Sequence, residues 1–362
     1  MSTFNVGNIE NRSGGAPDFS QGLTVGGTDI LTLVTPTEYH TGASAPSSPA
    51  NGAIWYDGTD IKQYINEGWY TLSAALPPAN SGDRGVFGAG NLLPSYAASN
   101  AMDYITISTT GNATDFGDMV ANNSIYGGCS NGYRGLFGGG YPNFSSNTNR
   151  IDYITIATTG NAVDFGDLTV ARRSLAALSD GTKGVFTGGF VSGDVNTMDY
   201  VTVATTGNAL DFGDLTVAGQ QGGCCADFVR GVIRQQYSAT NAYSYITVAT
   251  TGNATVFGNS TLFANQGNNG CADSTRGVFA VYNKIIEYIT IQTAGNATDF
   301  GDLIMSNSNN SAAVANSTRA VWAGGQSGLN AMNYVTIQTL GNAADFGDLA
   351  LARYGLAGAS GE

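Results

Sequence analysis

A ten-residue phrase, Thr-Thr-Gly-Asn-Ala-x-Asp-Phe-Gly-Asp or a near variant, recurs six times, with its Asn at Asn112, Asn161, Asn208, Asn253, Asn296 and Asn342. The successive spacings are 49, 47, 45, 43 and 46 residues. Self-similarity at such a period marks stacked supersecondary units, because each unit can bury its apolar face only against its neighbours. Each copy reads as a basic residue, Gly-Val-Phe and a Gly pair, then a variable stretch, Asp-Tyr-Ile-Thr-Ile and the Thr-Thr-Gly-Asn turn. Phe-Gly-Asp-Leu, a second variable stretch and a run of small apolar residues complete it. Turn residues bound four strands per copy. Four short strands per repeat predict an all-β fold, a six-bladed β-propeller, since radial repetition protects the edges of short sheets.

Closure of the ring can be counted. The small apolar stretch occurs six times, at 123–129, 173–179, 220–226, 267–272, 311–316 and 354–360. The strand that follows it begins at Arg84, Arg134, Lys183, Arg230, Arg276 and Arg319, also six. The first copy lacks a preceding innermost strand and the last copy has one to spare. Residues 354–360 are therefore predicted to complete the sheet begun at Arg84, so that the C-terminal strand closes the ring. The ring claims 82–362, with 76–81 as linker and 1–75 as a separate N-terminal segment, extended over 1–45 and a small β meander over 46–75.

A formal charge of −13 and a pI near 4.3 argue against nucleic acid as a partner, because phosphate neutralisation requires clustered Lys and Arg. No apolar run approaches membrane length, so no membrane insertion is expected. The opening Met-Ser-Thr-Phe-Asn-Val-Gly-Asn does not read as a secretory signal, which predicts synthesis in a cytoplasm without Sec-type export. Cys129, Cys225 and Cys271 each stand five residues before a basic strand opener, a register filled elsewhere by Leu178, Val314 and Ala359. A position shared by Cys, Leu, Val and Ala is a small buried site, so these thiols are expected to pack as hydrophobes. Neither a disulfide nor a metal site is expected, and no cofactor.

The N-terminal segment opens with Asn8-Ile9-Glu10-Asn11-Arg12-Ser13-Gly14-Gly15-Ala16-Pro17-Asp18-Phe19. It later carries Ala45-Pro46-Ser47-Ser48-Pro49-Ala50-Asn51-Gly52, Ile54-Trp55-Tyr56-Asp57 and Gly68-Trp69-Tyr70. The second group reads as a meander of three strands. Both pieces resemble the N-terminal regions of bacteriophage tail fibres and related virion appendages, notably those of marine cyanobacterial phages. The resemblance implies a virion location and an attachment segment, with Asn11, Arg12, Phe19, Trp55, Tyr56 and Trp69 as attachment residues. Other virion proteins would be its partners and a homotrimer its assembly.

The ring pattern of Gly139-Gly140, Gly188-Gly189 and Gly324-Gly325, followed by Tyr104, Tyr153, Tyr200, Tyr245, Tyr288 and Tyr334, resembles kelch-type propeller repeats. Phe116 and its equivalents stand where that family has Trp, and Arg234-Gln235-Gln236 breaks the Gly pair. The basic strand openers and the acids of Asp115-Phe116-Gly117-Asp118 fall at one end of each blade. They are expected to form a ladder of partly exposed Arg–Asp pairs with Asx-turn hydrogen bonds. A calcium ion at each blade is the alternative, but two carboxylates are few for an ion that takes six to eight oxygens.

Topology separates two faces. The first-to-second and third-to-fourth turns, nearly uniform among copies, share one. The other carries the variable loops, such as Asn91 to Ala101, Tyr141 to Arg150 and Phe190 to Met198, with Asn122-Asn123, Arg172-Arg173 and Gln220-Gln221. Variable loops on a rigid scaffold are where recognition is placed. Tyr96, Tyr141, Asn143, Phe144, Arg172, Arg173, Gln220, Tyr237 and Tyr282 are the candidate ligand-binding residues. Aromatic faces and amides there would suit a host cell-surface glycan or receptor.

Catalysis is not expected. The chain has one His, His40, and five Glu, at 10, 38, 67, 287 and 362, with no serine elbow or zinc spacing. A virion appendage displaying a recognition propeller is the leading reading. A structural or capsid decoration protein and a sialidase-like, glycan-cleaving tailspike are the alternatives.

Overall fold

The computed structural model describes residues 24–25, 28–29, 39–41, 53–56, 61–65, 68–71 and 82–361, the last range without 125, 237–240, 263–268, 283, 305–309 and 327–329. The chain divides into two units, 1–76 and 77–362. In the first, Ile54–Tyr56, Ile61–Ile65 and Gly68–Thr71 pair antiparallel in succession, and Tyr39–Thr41 adds a fourth, parallel strand beside Ile54–Tyr56. The sequence reading has three strands there and an extended chain before residue 46. Thr24–Val25 pairs with Thr28–Asp29. Trp55, Tyr56 and Trp69 lie on these strands, while Asn11, Arg12 and Phe19 lie outside the described residues.

The second unit is a six-bladed β-propeller. Blade 2 shows the plan: Gly127–Ser130 innermost, then Arg134–Gly138, Arg150–Thr155 and Val163–Asp167, each antiparallel to the last. Blades 3 to 6 repeat it from Ala176, Gln220, Asn269 and Ala312. Blade 1 takes its innermost strand from the end of the ring: Ala357–Gly361 pairs with Arg84–Leu92 in the register Ala359↔Val86, and Arg353–Tyr354 extends the pairing to Leu92 and Asn91. The expected closure is thus observed.

The repeated phrase is the clip that joins one blade to the next. Gly160 N–H donates to Phe116 O and Ala162 N–H to Asp118 O, both at 2.8 Å, while Asn161 Oδ1 accepts from Asp118 N–H at 3.0 Å. The same Asn bond recurs at Asn208, Asn253, Asn296 and Asn342, and Asn112 makes it to Asp348, which closes the circle. Gly117 is required at its place, because φ is +137° and a Cβ would stand 2.5 Å from Gly160 O.

Between blades lies the core. Phe116, Phe165, Phe212, Phe257, Phe300 and Phe346 are buried, and each meets the Tyr of its own third strand edge-on, with centroids 5.9–6.2 Å apart. On the inner strands, the register of Cys129 packs onto the Gly of the next blade's basic-Gly pair. A Cβ on Gly184 would stand 3.0 Å from Cys129 Sγ, one on Gly231 would stand 2.6 Å from Leu178 and one on Gly277 would stand 2.4 Å from Cys225 Sγ. At these three positions the neighbouring blade fills the Cβ space, whereas blade 6 carries Ala320 in the same register. All four cysteines are free and buried, and burial pushes the Cys129 and Cys224 thiols up to about 12.

The strand-opening cations do not form the expected Arg–Asp ladder. Arg84, Arg134, Lys183, Arg230, Arg276 and Arg319 instead lie 4.3–4.9 Å from the centroid of the Tyr ring on the adjacent strand. They donate to backbone carbonyls of another blade, as Arg134 Nη1 does to Val203 O at 3.1 Å. An aromatic face and a free carbonyl beside each cation satisfy it without a carboxylate. The Asx turns do form, one step earlier in the chain: Asp180 Oδ1 accepts from the N–H groups of Thr182 and Lys183, and Asn131, Asp227, Asp273 and Asn316 do the same in their blades.

Candidate functional site on the variable-loop face

The chain enters the described ring beside Asp83 and leaves it at Gly361, paired with Arg84. Both points lie on the face of the Asx turns, and the opposite face carries the variable loops. On it the second strands of blades 2 and 3 end in a Gly pair followed by an aromatic residue, Tyr141 and Phe190. Gly139 and Gly140 have φ of +73° and +117°, and a Cβ on either would collide with Arg172 O or Asn123. These turns aim the aromatic residues across the gap between the two blades.

There Tyr141, Phe144 and Arg173 come together. The Arg173 guanidinium lies 4.3 Å from the Tyr141 ring centroid and 4.4 Å from that of Phe190. Its Nη1 donates to Asn147 Oδ1 at 3.0 Å. Phe144, 43% exposed and with φ of +53°, stands edge-on to Tyr141 at 5.7 Å. Asn143 lies in the same 3-10 turn, Pro142–Phe144. Gln220 Nε2 donates to Asp194 Oδ1 at 2.9 Å, yet Gln220 is no loop tip: it opens the innermost strand of blade 4 and pairs with Gln236.

The other candidates are dispersed. Tyr96, 58% exposed with φ of +59°, stands edge-on to Tyr354 on blade 1. Its loop is shorter than the sequence suggests, because Arg84–Leu92 and Ala98–Thr106 extend into it. Tyr282 is half exposed on blade 5, and Tyr237 lies outside the described residues. Asn147, Phe190 and Asp194 belong to the blade 2–3 cluster and were not singled out from sequence. The signal for Phe190 was its place after a Gly pair, the same as that of Tyr141.

Arg172, expected among the ligand-binding residues, is instead an interior side chain. Its side chain is fully buried, with Nη1 on Asp199 Oδ2 at 2.6 Å, Nε on Gly188 O at 2.9 Å and Nη2 on Phe186 O at 3.2 Å. A guanidinium so committed offers nothing to a surface ligand. Asp199 occupies the place before the repeated Tyr, filled in the other blades by Asp103, Asp152, Ser244, Glu287 and Asn333. Every acid among them has an Arg: Arg353 on Asp103, Arg150 on Asp152 and Arg234 Nε 3.6 Å from Glu287. The position also clips blades, since Thr169 donates to Asp199, Thr261 to Glu287 and Ile304 N–H to Asn333.

The combination that a sialidase-like reading demands, Tyr with Glu and Arg, is present but lies inside the ring. Tyr243 Oη donates to Glu287 Oε1 at 2.7 Å, Ser260 Oγ to the same oxygen at 2.6 Å, and Tyr243, Glu287 and Arg234 are all buried. Burial, with Glu287 beside it, raises the Tyr243 hydroxyl well above its ordinary value, opposite to what a nucleophile needs. Along the ring axis, a cavity of about 70 Å³ is lined by small inner-strand residues such as Gly128, Ala177 and Ala313.

A rigid ring with one repetitive face and one variable, aromatic-bearing face defines a β-propeller suited to recognition or binding. No protein family and no curated protein matches the chain.

Proposed function

We propose that the protein is a bacteriophage virion appendage, a tail fibre or similar part, whose propeller recognises a host-surface glycan without cleaving it. The observation that carries this reading is the convergence of Tyr141, Phe144, Arg173 and Phe190 from two blades on the variable-loop face. Aromatic faces stack on the apolar faces of sugars, and side-chain amides pair with hydroxyls. The N-terminal resemblance supplies the virion context, with other virion proteins as partners through residues 1–75 in a homotrimer. Shallow sites of this kind bind weakly one at a time, so several copies per particle would act by avidity.

Particles carrying Tyr141→Ala with Phe144→Ala test it. Adsorption to the host is expected to fall while the protein remains on the particle. Normal adsorption by particles that retain the variant would replace this reading with that of a structural or decoration protein.

A further inference from the structure

We propose that the Tyr141–Arg173–Phe190 cluster binds the carboxylate of an acidic sugar, an inference that rests on the glycan-recognition reading and names its ligand class. The ring carries twelve basic residues. Six, from Arg84 to Arg319, open second strands on the turn face and are spent on Tyr rings, as above. Arg150, Arg172, Arg234, Lys284 and Arg353 are ion paired. Arg173 remains. Among the described residues no carboxylate lies within ion-pairing distance of it, although the chain carries 27 acids against 14 basic residues.

The geometry prepares this guanidinium for an anion. Asn147 Nδ2 donates to Phe190 O at 3.0 Å and Val191 O at 3.2 Å, which fixes Asn147 and turns its Oδ1 toward Arg173 Nη1. The Arg173 backbone is fixed as well, exchanging hydrogen bonds with Phe190 at 3.2 and 2.8 Å. Two aromatic rings orient the guanidinium plane, so little side-chain entropy remains to be lost on binding. Of the five donors of a guanidinium, the described residues take one. A carboxylate can accept two parallel bonds from such a group.

The surroundings select the rest of the ligand. Phe144, half exposed beside Tyr141, offers a face to a pyranose ring. Asp194, engaged by Gln220 nearby on the same face, and the net charge of −13 disfavour a polyanion such as a polyphosphate. One carboxylate on the guanidinium, with neutral hydroxyls around it, fits both conditions: a uronic acid or another carboxylated sugar.

The test is titration of the full chain with sodium D-glucuronate and, at matched ionic strength, D-glucose. Binding is followed by NMR at the Arg173 side-chain Nε–H, assigned from its absence in Arg173→Gln. Glucuronate is expected to shift that resonance saturably and to bind about tenfold or more tightly than glucose, the scale of one charge-assisted hydrogen bond. Arg173→Gln should abolish the preference, and Arg173→Lys should restore only part of it, because an ammonium lacks the planar fork. Equal affinity for the two sugars, or a resonance that glucuronate leaves unmoved, overturns the inference. So does a loss of melting temperature in Arg173→Gln with no change in sugar preference, since Arg173 would then be a clamp between blades. The recognition reading fails separately, in the adsorption of the Tyr141→Ala, Phe144→Ala particles.

Discussion

Replacing Arg172 by Met tests the view that this residue holds the ring together and does not meet a ligand. In the native chain the Arg172 and Asp199 side chains are both fully buried and joined at 2.6 Å, with two blade 3 carbonyls taking further guanidinium bonds. Removing the cation leaves the Asp199 carboxylate buried with only Thr169 as donor. Breaking a buried pair from one side costs about 3–5 kcal/mol, which for a domain of this size lowers the melting temperature by roughly 6–20 °C. The molecule contains its own rescue: blade 6 places Asn333 at the equivalent position, where its amide oxygen accepts from Ile304 N–H at 3.0 Å. The double variant Arg172→Met, Asp199→Asn should therefore recover most of the loss, since neutralising both partners removes the uncompensated charge. Calorimetry on wild type, both single variants and the double variant measures the coupling. A cost below about 1 kcal/mol for Arg172→Met, or a double variant no more stable than Arg172→Met alone, would refute the reasoning.

Removal of residues 352–362 deletes the two C-terminal strands that pair with Arg84–Leu92 and leaves only Ala98–Thr106 beside it, so it should open the ring and sharply lower the melting temperature. An undiminished value would remove the closure argument. Native Cys129, Cys224, Cys225 and Cys271 should resist a thiol reagent at mildly alkaline pH and react only after denaturation, because burial raises all four; rapid native labelling would contradict their packing. Burial, opposed by Arg353 and Arg150 respectively, raises Asp103 and Asp152 above 3.8. The folded state then holds these protons more tightly than the unfolded one, so their ionisation costs stability that returns as pH falls from above the folded pKa toward that value. In urea titrations, wild type should gain on Asp103→Asn as the solution is acidified; the opposite slope would show the ion pair outweighing burial.

The repeat made the ring legible from the sequence. Four strands, six copies and one missing inner strand admit a single closed arrangement, because short sheets with buried faces need neighbours on both sides. The shared register of Cys129, Leu178 and Val314 likewise marked a buried site, since a position that takes Cys, Leu or Val alike selects for size and apolarity. Partner identity was not legible. Asp103, Asp152, Asp199 and Glu287 fall at one repeat position, but their arginines do not. Arg172 and Arg353 come from the approach to an inner strand, Arg150 from the start of a third strand and Arg234 from the second strand of the preceding blade. Adjacent in sequence, Arg172 and Arg173 look alike as loop cations. The tertiary structure alone parts them, turning one inward onto Asp199 and leaving the other half-buried against Tyr141 and Phe190. Local pattern determines which backbone forms, whereas the fate of a charge depends on which distant groups the ring brings within a few ångströms of it.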